Sequence, residues 1–257
     1  MRPNPVKRTL AEDGVALGTM VFEFDSPGIA RIVAGTGADF VVFDQEHTGW
    51  GMDTIRRLLA TARAADVVPV VRAPAAGYHL ISRPLDAGAS GVMVPMVETG
   101  DEARSIVRSA KYPPLGGRGA AFGIAHDDYE AGDPVVTMES ANAETLLIVQ
   151  VETARGIENV DEIAAVDGID VLWIGHNDLA NSMNIPGQFD HPDYLKAVDR
   201  FLRACRDHGK APGIMATGVD EARALLRRGF RCVAYWGDLW IYAAALRGGL
   251  EEIRRPL

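Results

Sequence analysis

The sequence predicts a single (β/α)8 barrel over residues 1–257, on three observations. Eight short apolar, β-prone runs recur along the chain, each is followed by a stretch that can be helical, and polar residues gather just past the runs. A strand covered by helices on both faces reads as nearly continuous hydrophobic sequence, as these eight do.

The first run is Val15 to Phe22, followed by Glu23-Phe-Asp-Ser-Pro27. A doubly wound open sheet, the rival architecture, would usually place a glycine-rich phosphate turn at this point, and none is there. Gly35-Thr-Gly37 lacks a third glycine and precedes a strand, so it reads as a helix C-cap turn leading into the second run, Phe40 to Phe43. Met52 to Ala65 then carries Ile55, Leu58, Leu59 and Ala62 at helical spacing, ahead of the third run, Val67 to Val71. The fourth run is Gly91 to Val94. Lys111 to Pro134 breaks the rhythm with Pro113-Pro-Leu-Gly-Gly-Arg-Gly119 and a polar stretch from His126 to Asp133. A connection so long and glycine-rich is usually a functional loop or a subunit contact. The fifth and sixth runs, Leu146 to Val151 and Val171 to Ile174, precede a helical stretch from His191 to His208, with Tyr194, Leu195, Val198, Leu202 and Cys205 at helical spacing. Ala211 to Ile214 and Cys232 to Tyr235 complete the set. The last stretch, Trp240 to Leu257, reads as a helix with Ile241, Ala244, Leu246, Leu250 and Ile253 apolar, which either closes the barrel or packs on a neighbour.

At 257 residues, 47% hydrophobic and 24% charged, the chain suits one large core. The formal net charge of −9, with no long Lys/Arg cluster, argues against a nucleic-acid surface, where counterion release needs a basic face. Met1 to Thr9 is a polar tail without an apolar signal core, and no run approaches the ~18 apolar residues of a membrane span, so a cytoplasmic protein is expected. Cys205 and Cys232 lie outside any CxxC spacing and read as buried free thiols.

In barrels of this kind the chemistry sits at the C-terminal ends of the strands. The polar residues there are Asp44, Glu46 and His47 after the second strand, Arg72 after the third, Gln150 and Glu152 from the fifth, His176, Asn177 and Asp178 after the sixth, and Tyr235, Trp236 and Asp238 after the eighth. Gln150 and Glu152 are two apart and share a face, read as inward, so Glu152 and Asp178 converge from adjacent strands. An acid at the end of a buried strand costs desolvation energy unless a cation compensates it. Two carboxylates without a third His or Cys ligand make a hard-oxygen site with open positions, suited to Mg²⁺ or Mn²⁺ completed by water and substrate oxygens. The competing reading pairs each acid with an arginine in a salt bridge.

Asp178 also opens a short helical pattern whose N–H groups at Asn177 and Asp178 can hold a carboxylate, or it serves as a plain N-cap. His47 is placed for proton transfer, or is a loop histidine bonded to backbone. Arg72 can stabilise an enolate oxygen, or partner Glu46 or Asp44. A Schiff-base aldolase needs a lysine inside the barrel. Lys7 falls in the tail, Lys111 ends a helix, Lys196 is mid-helix and Lys210 precedes the seventh strand, so carbanion stabilisation falls to a metal or to fixed dipoles.

Six collinear segments carry a family resemblance: Val41-Val-Phe-Asp44-Gln-Glu46-His47, Val70-Val-Arg72, Leu85-Asp86-Ala-Gly with Val94-Pro-Met-Val97, Tyr112-Pro-Pro-Leu-Gly-Gly-Arg-Gly119, Gln150-Val-Glu152-Thr153 and Ile174-Gly-His-Asn-Asp178-Leu. Together they resemble the HpcH/HpaI family of metal-dependent class II pyruvate aldolases. The resemblance implies a (β/α)8 barrel in a hexamer, a trimer of dimers that exchange the last helix. It implies reversible cleavage of a 4-hydroxy-2-oxo acid to pyruvate, or a related acid such as hydroxypyruvate, and an aldehyde through a metal-stabilised enolate. Carried over, Glu152 and Asp178 bind Mg²⁺, Mn²⁺ or Co²⁺, and Gln150, Gly175, His176, Asn177 and Asp178 surround the oxo acid. His47 is the acid/base centre, Asp86 raises its basicity from its own or a neighbouring subunit, and Arg72 stabilises the enolate. Asp44, Glu46, Arg118 and Trp236 would support them.

Two departures stand out. Gly175-His176 replaces a common Gly-Pro, so His176 either tunes the site or points away and packs. Ala234-Tyr-Trp-Gly-Asp238 replaces a Val-Gly-Ser-Asp-like turn, putting two aromatics at the mouth. A citrate-lyase-β or malyl-CoA-type lyase shares the barrel and metal chemistry but needs a surface for CoA or a carrier arm, for which no basic motif is visible. A barrel kept as a non-catalytic binding protein is the remaining reading.

Overall fold

All eight runs pair in parallel, in chain order, into one closed barrel in the computed structural model, which describes residues 2–130 and 132–255. The strands are β1 (Ala16–Val21), β2 (Phe40–Asp44), β3 (Val68–Arg72), β4 (Gly91–Val94), β5 (Leu146–Val151), β6 (Val171–Ile174), β7 (Ala211–Ala216) and β8 (Cys232–Gly237). Their helices are α1 (Pro5–Ala11), α2 (Ile29–Ala34), α3 (Met52–Ala62), α4 (Tyr78–Asp86), α5 (Gly100–Ala110), α6 (Pro134–Glu144), α7 (Ala154–Glu158), α8 (Val160–Ala164), α9 (His176–Ser182), α10 (Pro192–Asp207), α11 (Val219–Arg228) and α12 (Asp238–Ile253). Among the described residues no helix is long and apolar enough to cross a membrane.

The period-two alternation of a strand divides the apolar residues into two cores. Phe40, Val42, Val68, Val70, Leu146, Ile148, Val171 and Trp173 fill the barrel, whereas Val41, Phe43, Val71, Leu147, Val149 and Leu172 face the helices. Continuing each inward row by one more step reaches Asp44 on β2, Arg72 on β3, and Gln150 and then Glu152 on β5. The fold therefore turns polar at one end of a row that is apolar below.

The opposite end is closed by a segment that the sequence suggested was a tail. Pro5 at the first turn and the Asn4 side chain, which accepts the Lys7 N–H at 3.1 Å, start α1, and Val6 and Leu10 seal the barrel floor beside Ala16 and Phe40. Two buried residues in seven are too few to announce a helix by periodicity, so only the tertiary contact reveals it. Met1 lies outside the described residues.

Among its described residues the long connection after α5 contains one 3-10 turn, Ala125–Asp127, and it ends where α6 begins at Pro134. The final helix does not close the barrel. In α12 only Asp238 is buried, and Tyr242, Leu246, Leu250 and Ile253 are exposed. An apolar groove of about 660 Å³, lined by residues including Leu17, Val21, Ile29, Val33, Tyr235 and Tyr242, opens where β1, α2 and the root of α12 meet. The predicted continuation of this helix to residues 256–257 lies outside the described residues.

Candidate active site

The mouth is built in three sectors, in strand order. On β2 and β3, Asp44 and Arg72 are ladder partners, and Asp44 is fully buried. Its Oδ1 lies 2.5 Å from Arg72 Nε. The same carboxylate accepts the backbone N–H of Glu46 at 3.2 Å and of His47 at 2.8 Å, an Asx-type turn that folds the chain back over the mouth. Glu46 is thereby returned to Arg72, with Oε2 3.1 Å from NH1 and 3.7 Å from His47 Nε2. Burial pushes the Glu46 carboxyl up to about 7, with Arg72 opposing and Asp44 and Asp178 adding to the rise. Arg72 thus partners both acids, and NH2 makes no hydrogen bond among the described residues. The His47 side chain is 58% exposed.

The second sector belongs to β4, β5 and β6. Gln150 and Glu152 point inward as their spacing predicts, and Glu152 is 2% exposed. Its Oε1 accepts the Met96 N–H at 2.8 Å and its Oε2 the Gln150 Nε2–H at 2.8 Å. Met96 holds φ +58, unusual for a residue with a side chain, at the position that aims this N–H. Gly175 is required by space: a Cβ there would fall on Glu152 Oε2. Burial raises the Glu152 carboxyl, opposed by the Met96 N–H and reinforced by Glu46 and Asp178. The ion pairs at the mouth are those of Arg72, and among the described residues neither Glu152 nor Asp178 has one.

Gln150 Oε1 is buried without a hydrogen-bond partner. An orphaned oxygen beside a buried, uncompensated carboxylate is a cost that a cation relieves, and all-oxygen donors fit a hard divalent ion. Among the described residues no group of three or more His, Cys, Asp or Glu could hold a metal by itself. Any such ion would be held by fewer than three of these side chains among the described residues, with open positions.

Helix α9 starts two residues earlier than its pattern suggested. Gly175 is its N-cap and His176 its first residue, so Asp178 stands third, in the first turn where an acid complements the helix dipole, and does not cap it. Asn177 and Asp178 are exposed at the mouth. His176 both lines the cleft and packs: its ring lies edge-on to Phe189, centroids 5.3 Å apart, and burial pushes it down toward the neutral form.

The third sector, from β7 through β8 to β1, is apolar. Met20, Phe22, Met215 and Trp240 close a cleft of about 130 Å³ whose other lining includes His47, Arg72, Gln150, Glu152, His176 and Asp178. Sequence reasoning missed these four and placed Trp236 there. The reason is a β-bulge: Gly18 pairs with Ala234 but Met20 with Gly237, and Trp236 takes φ +49. One extra residue reverses the facing of the residues after it, and the cleft receives Trp240 in place of Trp236. Asp238, expected among the polar groups of the mouth, is a clamp that accepts the N–H groups of Phe22, Glu23 and Phe24 at 2.9, 3.0 and 2.7 Å.

Two predicted residues lie elsewhere. Asp86 ends α4, which runs back from the mouth, and its carboxylate is 2.5 Å from Arg118, whose guanidinium lies over the Tyr112 ring at 4.6 Å. Within one chain Asp86 does not meet His47. The lysines also sit away from the cleft. Lys111 donates to Asn142 O and Thr145 O, Lys7 to Thr145 O and Asp170, Lys210 to Val166 O and Ile169 O, and Lys196 to Asp193 on the surface.

A (β/α)8 barrel whose mouth joins an uncompensated carboxylate pair to an arginine and a histidine is built as an enzyme acting on a small oxygen-rich substrate. Residues 19–243 match the HpcH/HpaI aldolase/citrate lyase family, and the chain belongs to it. It is 38% identical over 251 residues to the hydroxypyruvate/pyruvate aldolase of Roseovarius nubinhibens, covering 98% of this chain and 97% of that one. It is 33% identical over 243 residues to the 5-keto-4-deoxy-D-glucarate aldolase of Escherichia coli, covering 95% and 94%. A solved HpcH/HpaI aldolase/citrate lyase family protein from Burkholderia cenocepacia superposes with a TM-score of 0.91 at 35% identity, over 98% of this chain and 99% of that one. The citrate lyase beta subunit of M. tuberculosis is similar at a TM-score of 0.57 and 20% identity, a likeness of fold alone. The protein is an aldolase of this family, and the citrate-lyase reading is the distant one.

Proposed function

We propose that the protein reversibly cleaves a 4-hydroxy-2-oxo acid to pyruvate or hydroxypyruvate and an aldehyde, using Mg²⁺, Mn²⁺ or Co²⁺ held by Glu152 and Asp178. The observation that carries this reading is Glu152, buried without a cationic partner among the described residues, beside the orphaned Gln150 Oε1. A divalent ion there supplies electron withdrawal from the oxo acid, which makes a C3 proton removable near neutral pH.

The chain's own groups do the rest. Gln150 and Asn177 orient the oxo acid. In cleavage, His47 takes the proton of the 4-hydroxyl, the C3–C4 bond breaks, and its electron pair enters the enolate of the departing oxo acid. The Arg72 NH2 group, without a hydrogen bond among the described residues, stabilises the enolate oxygen, and His47 returns the proton to C3. Addition reverses these steps.

The single chain leaves His47 exposed and the groove under α12 open. Both are accounted for by a hexamer, a trimer of dimers in which α12 of one copy fills the groove of another. An adjacent copy would then bring its Asp86 to His47 and raise its basicity. The two buried free thiols agree with a reducing, cytoplasmic setting.

Exchange of pyruvate C3 protons in deuterated water tests metal, base and oxo acid together. Wild type with Mn²⁺ should exchange, and exhaustive chelation or His47→Gln should abolish it. Exchange that survives both treatments overturns the proposal.

A further inference from the structure

We infer that the aldehyde partner is uncharged and carries an apolar group, held against an aromatic wall made by Phe22 and Trp240. This deepens the aldolase reading and rests on it. With β2 and β3 supplying the proton-transfer groups and β5 and β6 the carboxylates, an oxo acid occupies the polar side of the mouth. The aldehyde is left the sector from β7 to β1, where Met215, Trp240, Met20 and Phe22 stand.

That wall is built. Phe22 and Trp240 meet edge-on with centroids 5.0 Å apart, a geometry that favours aromatic pairs. Gly237 makes the meeting possible, since a Cβ there would come within 2.8 Å of both rings. Asp238 fixes the backbone of Phe22, Glu23 and Phe24 through three hydrogen bonds. The Phe22 ring also lies 5.6 Å from the Arg72 guanidinium, so the wall adjoins the group assigned to the enolate.

Charge points the same way. Glu152 and Asp178 line the cleft, and Arg72, already paired with Asp44 and Glu46 behind it, is the only Lys or Arg lining the cleft among the described residues. A second carboxylate, carried in on the aldehyde, would meet two acids and no lysine or arginine beyond the one already paired with Asp44 and Glu46. In the addition step the new bond joins C3 of the enolate to C1 of the aldehyde, whose oxygen takes the proton from His47, so only the substituent on C1 touches the wall.

The test compares pentanal with succinic semialdehyde as acceptors for pyruvate, by kcat/KM with the Mn²⁺-loaded enzyme. Wild type should favour pentanal at least about tenfold, the scale on which apolar pockets discriminate. Trp240→Ala and Phe22→Ala should each lower that ratio by about tenfold, Trp240→Phe should restore most of it, and Trp240→Arg should turn it toward succinic semialdehyde. Pyruvate exchange in deuterated water, run alongside, separates the failures. If exchange proceeds and succinic semialdehyde is preferred, or folded Trp240 variants keep the wild-type ratio, this inference alone falls. If exchange is absent, it falls together with the aldolase reading.

Discussion

Gly175→Ala would place a methyl carbon on Glu152 Oε2, 2.8 Å from the Glu152 Cβ and 3.0 Å from its Cδ. The backbone there, φ −86 and ψ 89, does not require glycine, so the effect is steric. Glu152 has little room to yield, because both oxygens are held at 2.8 Å, by the Met96 N–H and the Gln150 side chain. Moving the carboxylate breaks a charge-assisted hydrogen bond, and keeping it overpacks the mouth. The expected cost is about 1–3 kcal/mol. In a chain of this size that lowers Tm by roughly 2–12 °C, read by calorimetry in EDTA. Displacing Glu152, the metal ligand proposed above, should also weaken Mn²⁺ binding by about 10–100-fold, followed by the electron paramagnetic resonance of free Mn²⁺. Glu152→Gln is the companion: it should lose the ion equally but not the stability, since burial already disfavours the charge it removes. Wild-type Mn²⁺ affinity in folded Gly175→Ala would refute this steric account.

Three further outcomes concern named groups. Burial lifts Glu46 from an ordinary carboxylate value to about 7, so between pH 4.5 and 7 the folded chain keeps a proton that the unfolded chain has released, and stability must fall as pH rises through that window. Urea unfolding in EDTA should show this decline, and Glu46→Gln should flatten it; an equal slope in the variant counts against the assignment. Burial pushes the Cys232 thiol up to about 12 and raises Cys205 as well, so iodoacetamide at pH 8 should label neither in the folded protein and both in urea, and labelling of the native chain would contradict their placement. Asp238→Ala frees three N–H groups from a charged acceptor and should cost at least about 2 kcal/mol in urea unfolding, with a shift in tryptophan emission as Phe22 leaves Trp240; a loss below about 0.5 kcal/mol would deny the clamp.

The barrel was legible because strands covered on both faces are written as uninterrupted apolar runs, and the inward position of Gln150 and Glu152 followed from their spacing of two. The acids, Arg72 and His47 could be named because polar residues at the ends of such runs are expensive. What escaped depended on distant partners. Trp240 replaced Trp236 because of one bulged residue between β8 and β1, which no local pattern marks. Asp238 read as a mouth acid until its three partners on the far side of the sequence were in view. Asp86 has no local signal for the company it keeps with Arg118.

The floor of the barrel bears on how the chain acquires its shape during synthesis. Helix α1 precedes every strand of the barrel, yet its anchors are late: Asn4 N–H donates to Glu144, 140 residues on, and Lys7 Nζ to Asp170, 163 residues on. At about 5–20 residues per second the ribosome delivers Asp170 roughly 8–30 s after Lys7. Throughout that interval Val6 and Leu10 lack much of the floor they seal, so a helix that precedes every strand is among the last elements to be secured. A nascent chain should remain open to protease around α1 until β6 has emerged, and close there only once the sheet is nearly complete.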